Sequence, residues 1–101
     1  AAKSHSFDMA ERNYVAHISP DGTSPATRVQ NAGYAYQIVG ENIAAGQTTP
    51  EQAVAGWMHS DGHCANLMNP SYEEMGAGYA TSDQPPYYHY WTQVFGRPRN
   101  F

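Results

Sequence analysis

The sequence predicts an α+β domain in which a small antiparallel sheet lies between helical layers. Three observations carry that reading. Phe7, Ala10, Tyr14 and Ile18 recur at helical spacing. Ser24 before Pro25 and Thr49 before Pro50 are helix starts written in capping chemistry. Neither face of the stretch 87–95 is polar, with Tyr88, Tyr90, Thr92 and Val94 on one and Tyr87, His89, Trp91, Gln93 and Phe95 on the other. A strand of that kind needs cover on both sides.

The apolar spacing predicts a first helix over 4–18, with Asp8, Glu11 and Arg12 mostly off its stripe and His17 near its end. Pro20, Asp21 and Gly22 then make a turn. A short helix over 25–32 follows, capped by Ser24 and closed by Gly33 as the first residue past its end. Residues 37–44 read as a strand in which Glu41 shares an apolar face with Val39 and Ile43. Thr49, Pro50 and Gln52 spell a capping box for a helix over 50–59 whose inner face is Ala53, Val54, Trp57 and Met58. Ser60 is placed to cap a further helix over 61–68, which Asn69 and Pro70 end. Strands over 76–81 and 87–95 are joined by a turn-rich 82–86, and Gly76 and Gly78 share the face on which another element could approach closely.

A chain of 101 residues makes one domain, 1–101, with a single core. A net charge of -4 with five Lys and Arg in all leaves no basic stripe for phosphates, and Arg97 with Arg99 is too little to make one. Nucleic acid is excluded as a partner on that ground. No apolar run is long enough to span a membrane, and no charged-then-apolar signal segment opens the chain. Cys64 is the sole cysteine, so no disulfide forms within the chain, and a lone thiol is first of all a small buried hydrophobe.

His17, Glu41 and His63 are the candidate site residues, because each sits beside structural punctuation that would hold it in place. Glu41 on an apolar strand face needs an imidazolium or another cation as partner. His63 falls in the first turn of a helix, where the macrodipole favours a neutral ring. Two His and one Glu form a ligand set that leaves a coordination position open, although their spacing is no established metal motif. Buried side chains satisfied by hydrogen bonds to one another are the plainer alternative. Ser60, one short turn from His63, could line the same cavity. His5 and His59 read as solvated helix residues, and His89 as packed among aromatic neighbours.

The order of short motifs resembles a known family. His5-Ser6, Met9-Ala10, His17 with Ser19-Pro20-Asp21-Gly22, Gly40-Glu41-Asn42-Ile43-Ala44, Trp57-Met58, Ser60 with Gly62-His63, Ala65-Asn66, Asn69-Pro70, and Tyr90-Trp91 through Val94-Phe95-Gly96 are similar to the CAP superfamily of cysteine-rich secretory, antigen 5 and pathogenesis-related proteins. The likeness is nearest to its short, disulfide-free bacterial branch of SCP-like extracellular proteins. It implies a three-layer α-β-α sandwich, a secreted protein, and a central cavity in which His17, Glu41 and His63 would hold a divalent cation such as zinc. Where other members place a second acidic residue this chain has Ser60, so a cation there is expected to bind weakly. Members usually carry a further helix ahead of the one that opens here. An apolar patch is therefore expected where that helix would pack, covered by another copy or a ligand.

The functional expectation is a secreted binding module whose cleft holds a divalent cation or a small ligand, lipids included. A metal-dependent hydrolase using Glu41 or a metal-bound water as base, and a purely structural polar cluster, are the alternatives. A fold hosts many functions, so the sequence leans away from an enzyme without deciding it.

Overall fold

The computed structural model describes residues 1–98; Arg99 and the rest of the expected domain to 101 lie outside the described residues. Four helices and three strands follow in the order α1 (Ala2–Arg12), α2 (Pro25–Asn31), β1 (Tyr36–Ala45), α3 (Pro50–Met58), α4 (Asp61–Met68), β2 (Glu74–Thr81) and β3 (His89–Pro98). The strands form one antiparallel sheet in the order β1-β3-β2. Helices cover both faces, as the double-sided apolarity of β3 requires. Tyr90 and Thr92 are buried toward α1, where Met9 and Ala10 pack against Tyr90. Trp91 is buried toward α3, against Ala53 and Trp57.

Local chemistry sets most boundaries. Ser24 Oγ accepts from Thr27 N, and Thr49 Oγ1 from Gln52 N, so both caps act as expected. The return arm of the capping box is displaced by one residue, because Gln52 Oε1 accepts from Thr48 N and not from Thr49. Ser60 occupies the N-cap position of α4 but makes no capping bond, since its hydroxyl is engaged by His63. Gly33 takes φ 88 immediately after the α2 cap, a backbone state that suits a residue without Cβ.

The first helix departs most from expectation. It stops at Arg12 because Asn13 turns left-handed at φ 56, its N–H donating to the Met9 carbonyl and its Oδ1 accepting from the buried Tyr90 hydroxyl. His17 therefore stands in a loop, not on a helix. The buried stripe is Ala2, His5, Ser6, Met9 and Ala10, while Phe7 and Ile18 are exposed. The expected apolar stripe is rotated because Ser6 faces the sheet, donating to the Gly78 carbonyl and to Thr92 Oγ1. On α3, Val54 and Met58 are likewise exposed, leaving Ala53 and Trp57 as the buried pair.

Gly76 and Gly78 differ in what they permit. A Cβ on Gly78 would collide with the Lys3 backbone, whereas one on Gly76 would meet nothing within 4 Å. The helix start lies directly on the strand at Gly78. A cavity of about 300 Å³ opens beside Gly76, between the start of α1 and α2, with Val29, Val39, Met75 and Phe95 in its wall. Replacing Gly78 by Ala is expected to destabilise the fold by roughly 1–3 kcal/mol through displacement of α1. Gly76→Ala should stay within about 0.5 kcal/mol of the parent. Urea denaturation of the two variants measures this; equal losses would show that the close approach of α1 is not the constraint.

Candidate functional site

Glu41 lies mid-strand in β1, opposite Val94, on the face that α1 covers. Its side chain is 1% exposed. The carboxylate accepts hydrogen bonds from two directions. Oε1 accepts from His17 Nδ1 at 2.9 Å and Oε2 from Arg28 Nη2 at 2.9 Å. Arg28 also donates to the His17 carbonyl at 2.7 Å, to Ser19 Oγ at 3.0 Å and to the Thr23 carbonyl at 3.1 Å. One guanidinium thus ties α2, the α1–α2 loop and the carboxylate together, which a planar fork of donors does better than a lysine.

A carboxylate only accepts, so His17 Nδ1 carries the proton of that bond. In the neutral form of that ring Nε2 is a lone-pair donor, on a side chain that is 48% exposed. His17 Nε2 has no hydrogen-bond partner among the described residues. The carboxylate-oriented imidazole with its far nitrogen open is the arrangement found in metal-binding and proton-transferring histidines.

His5 corrects an expectation: it is fully buried, not solvated. Its Nε2 lies 3.8 Å from Glu41 Oε1 yet donates to the Ala16 carbonyl at 2.8 Å, so it braces the loop that carries His17. Its Nδ1 is buried without a partner. Burial holds the His5 pKa below the ordinary 6.5 against the opposing pull of Glu41. His59 is exposed, and His89 stacks on Tyr79 at 5.9 Å, both as expected.

His63 reaches a different setting. It stands in α4, whose layer packs on the face of β1 that carries Asn42, and its Nδ1 is bonded to Ser60 Oγ at 2.9 Å. Its main-chain carbonyl accepts from Asn42 Nδ2 at 3.2 Å. Asn66 donates to the Glu41 carbonyl at 3.2 Å and to Asn42 Oδ1 at 3.0 Å. The structure therefore joins His17 to Glu41 through side chains and joins His63 to the same strand through backbone and amides. No group of three or more His, Cys, Asp or Glu among the described residues is arranged to hold a metal ion together. As arranged, the residues offer a cation His17 Nε2, beside a carboxylate whose charge Arg28 already balances, while His63 Nε2, also without a hydrogen-bond partner among the described residues, stands apart in α4. Arg28 and the amides were not singled out from sequence. The signal for Arg28 was indirect: a buried carboxylate needs a cation, and Arg28 is in the helix just before β1.

The family model described as the cysteine-rich secretory protein family, CAP, matches residues 1–95. The chain belongs to the CAP family. It is 42% identical over 95 residues to the uncharacterized protein YkwD of Bacillus subtilis (strain 168), covering 94% of this chain and 35% of that protein. It is 39% identical over 74 residues to the uncharacterized membrane protein YlbC of the same strain, covering 73% of this chain and 21% of that one. The chain thus spans about a third or less of the curated relatives it matches. The crystal structure of an extracellular protein containing a SCP domain from Bacillus anthracis str. Ames superposes with TM-score 0.83 at 36% identity, over 95% of this chain and 30% of that one. An outer surface protein from Borrelia burgdorferi has the same fold, with TM-score 0.85 at 20% identity over 97% of this chain and 71% of that one. The CAP fold accounts for the mixed helices around a three-stranded antiparallel sheet, and no described helix is long and apolar enough to cross a membrane.

Two outcomes test the electrostatics of this CAP site. Arg28→Met should cost about 3 kcal/mol in denaturant unfolding, because it strands a buried carboxylate, and adding Glu41→Gln should recover part of that loss. Additive losses in the double variant would mean that the pair is not coupled. For His5, the unfolded chain takes up the proton first, so stability is complete above about 6.5 and declines as pH falls below it. His5→Gln, which keeps a donor for Ala16, should flatten that acid limb of the stability profile. An unchanged limb would assign it to other groups.

Proposed function

We propose that this CAP domain is an extracellular binding module whose recognition centre is His17, aimed by Glu41 and locked by Arg28. The extracellular and outer-surface descriptions of the SCP-domain relatives support the location. One observation carries the site: a buried carboxylate holds His17 Nδ1, while Nε2 of the same half-exposed ring stays open. The ligand is a divalent cation held weakly, or a small molecule presenting a donor to Nε2. Weakness follows from the donor set, since Glu41 is already engaged at both oxygens and water would have to complete the coordination.

Imidazole resonances followed by NMR during Zn²⁺ titration test the reading. The His17 ring should move first, His17→Ala should abolish the response, and His63→Ala should change the apparent affinity by less than about threefold. A response lost in His63→Ala as completely as in His17→Ala would mean that both rings meet on the cation. No movement at His17 with Zn²⁺ or with imidazole-binding small molecules would remove His17 as the recognition centre.

A further inference from the structure

The opposite layer contains a second cavity, of about 340 Å³, between α3 and the free edge of the sheet. Its wall is aromatic and apolar. Tyr79 is half-exposed and lies on Trp91 with ring centroids 4.2 Å apart, and Trp57 and Val54 face them from α3. None of the lining side chains is charged. Two polar aliphatic side chains stand among them: Thr92, whose hydroxyl is engaged by Ser6 on the α1 face, and Gln93, 6% exposed. Its β2 partner in the register is Ala77, which has no side chain able to cover the amide.

The orientation of that amide follows from a chain of acceptors. Asn66 Nδ2 donates to the Glu41 carbonyl and Asn42 Nδ2 to the His63 carbonyl, and main-chain oxygens only accept. Asn66 therefore presents N–H to Asn42 Oδ1, and Asn42 presents N–H to Gln93 Oε1 at 3.3 Å. The free end of the chain is Gln93 Nε2, which has no hydrogen-bond partner among the described residues. A solvent-accessible N–H donor on an otherwise buried side chain, left open beside an uncharged aromatic wall, is the usual plan of a small-molecule site, a few polar groups fixing a ligand on apolar surface.

The ligand must be neutral, must present a hydrogen-bond acceptor to the floor, and must lay an apolar face on an aromatic ring. We propose that the groove is a glycan subsite for an N-acetylhexosamine, its acetamido carbonyl oxygen accepting from Gln93 Nε2 and its ring face resting on Tyr79. The acetamido methyl then packs toward Trp57. This site is separate from the His17 centre and does not depend on it.

Side-chain and backbone ¹H–¹⁵N spectra titrated with the β-1,4-linked tetramer of N-acetylglucosamine test the proposal, with cellotetraose as the matched probe that lacks the acetamido group. The Gln93 side-chain NH₂ and the Trp57 and Trp91 indoles should shift with the first sugar and not with the second. Tyr79→Ala and Gln93→Leu should each weaken binding about tenfold, the loss of one ligand contact of ordinary strength. Tyr79→Ala alters a half-exposed ring, so it remains decisive should Gln93→Leu lose its fold through the unpaired Asn42. No shift at Gln93, equal response to both sugars, full affinity in Tyr79→Ala, or response only to an extended apolar peptide would each overturn the assignment.

Discussion

Two consecutive residues of an edge strand, Glu41 and Asn42, hold the two helical layers to the sheet. Strand parity sends the carboxylate to one face and the amide to the other. On the first face Glu41 gathers Arg28 of α2 and His17 of the α1–α2 loop. On the second, Asn42 gathers the His63 carbonyl and Asn66, both of α4, with Gln93 of the central strand. Gly40 completes the device, because a side chain there would collide with the Tyr72 hydroxyl, and Tyr72 stacks on Phe95 at 5.4 Å. A register slip of one residue in β1 would exchange the charge and the amide and leave both layers without their partners.

A buried ion pair is a weak source of net stability, because desolvation of both charges offsets most of their attraction. Its use here is selective. A chain that reached the same compactness with α2 or the loop misplaced would leave Glu41 buried and unpaired, at a cost of several kcal/mol. The pairing therefore penalises alternative packings more than it deepens the native one. It also makes His17 a fixed side chain at an exposed place, as a recognition group requires. His5 adds to this from beneath by holding the Ala16 carbonyl, in a neutral form that burial favours.

The sequence was most legible where local chemistry decides. Ser24-Pro25, Thr49-Pro50 and Gly33 mark helix ends because caps act within a few residues, and the double-sided β3 announces both layers because its alternation has no polar phase. The need of Glu41 for a cation was legible as well. What was not legible depends on distant partners. α1 ends early through an Asn13 that answers a hydroxyl on β3, and His5 is buried because the loop returns its Ala16 carbonyl over the helix. A polar side chain on a helix turns inward only where a distant segment supplies partners, and Ser6 finds them on the sheet at Gly78 and Thr92. Arg28 was hidden for the same reason: nothing within its own helix asks for a cation.

The two edges of the sheet are treated differently, and that asymmetry separates the surfaces available for function. The β1 edge is flanked by α2, whose Val29 is buried against it, so this side is closed by the same helix that delivers Arg28. The β2 edge has no further strand paired to it among the described residues, and from Met75 to Thr81 it carries no charge. Free edges of that kind invite strand pairing unless something blunts them. Here Gly76, Ala77 and Gly78 lower the strand's own pairing tendency, and α1 leans onto Gly78 so that one face is already occupied. Small residues that weaken the edge also leave the other face hollow, between Tyr79 and α3. The hollow beside Gln93 is thus a consequence of how the fold protects an open edge, at a place where the amide chain from Glu41 and Asn42 happens to end.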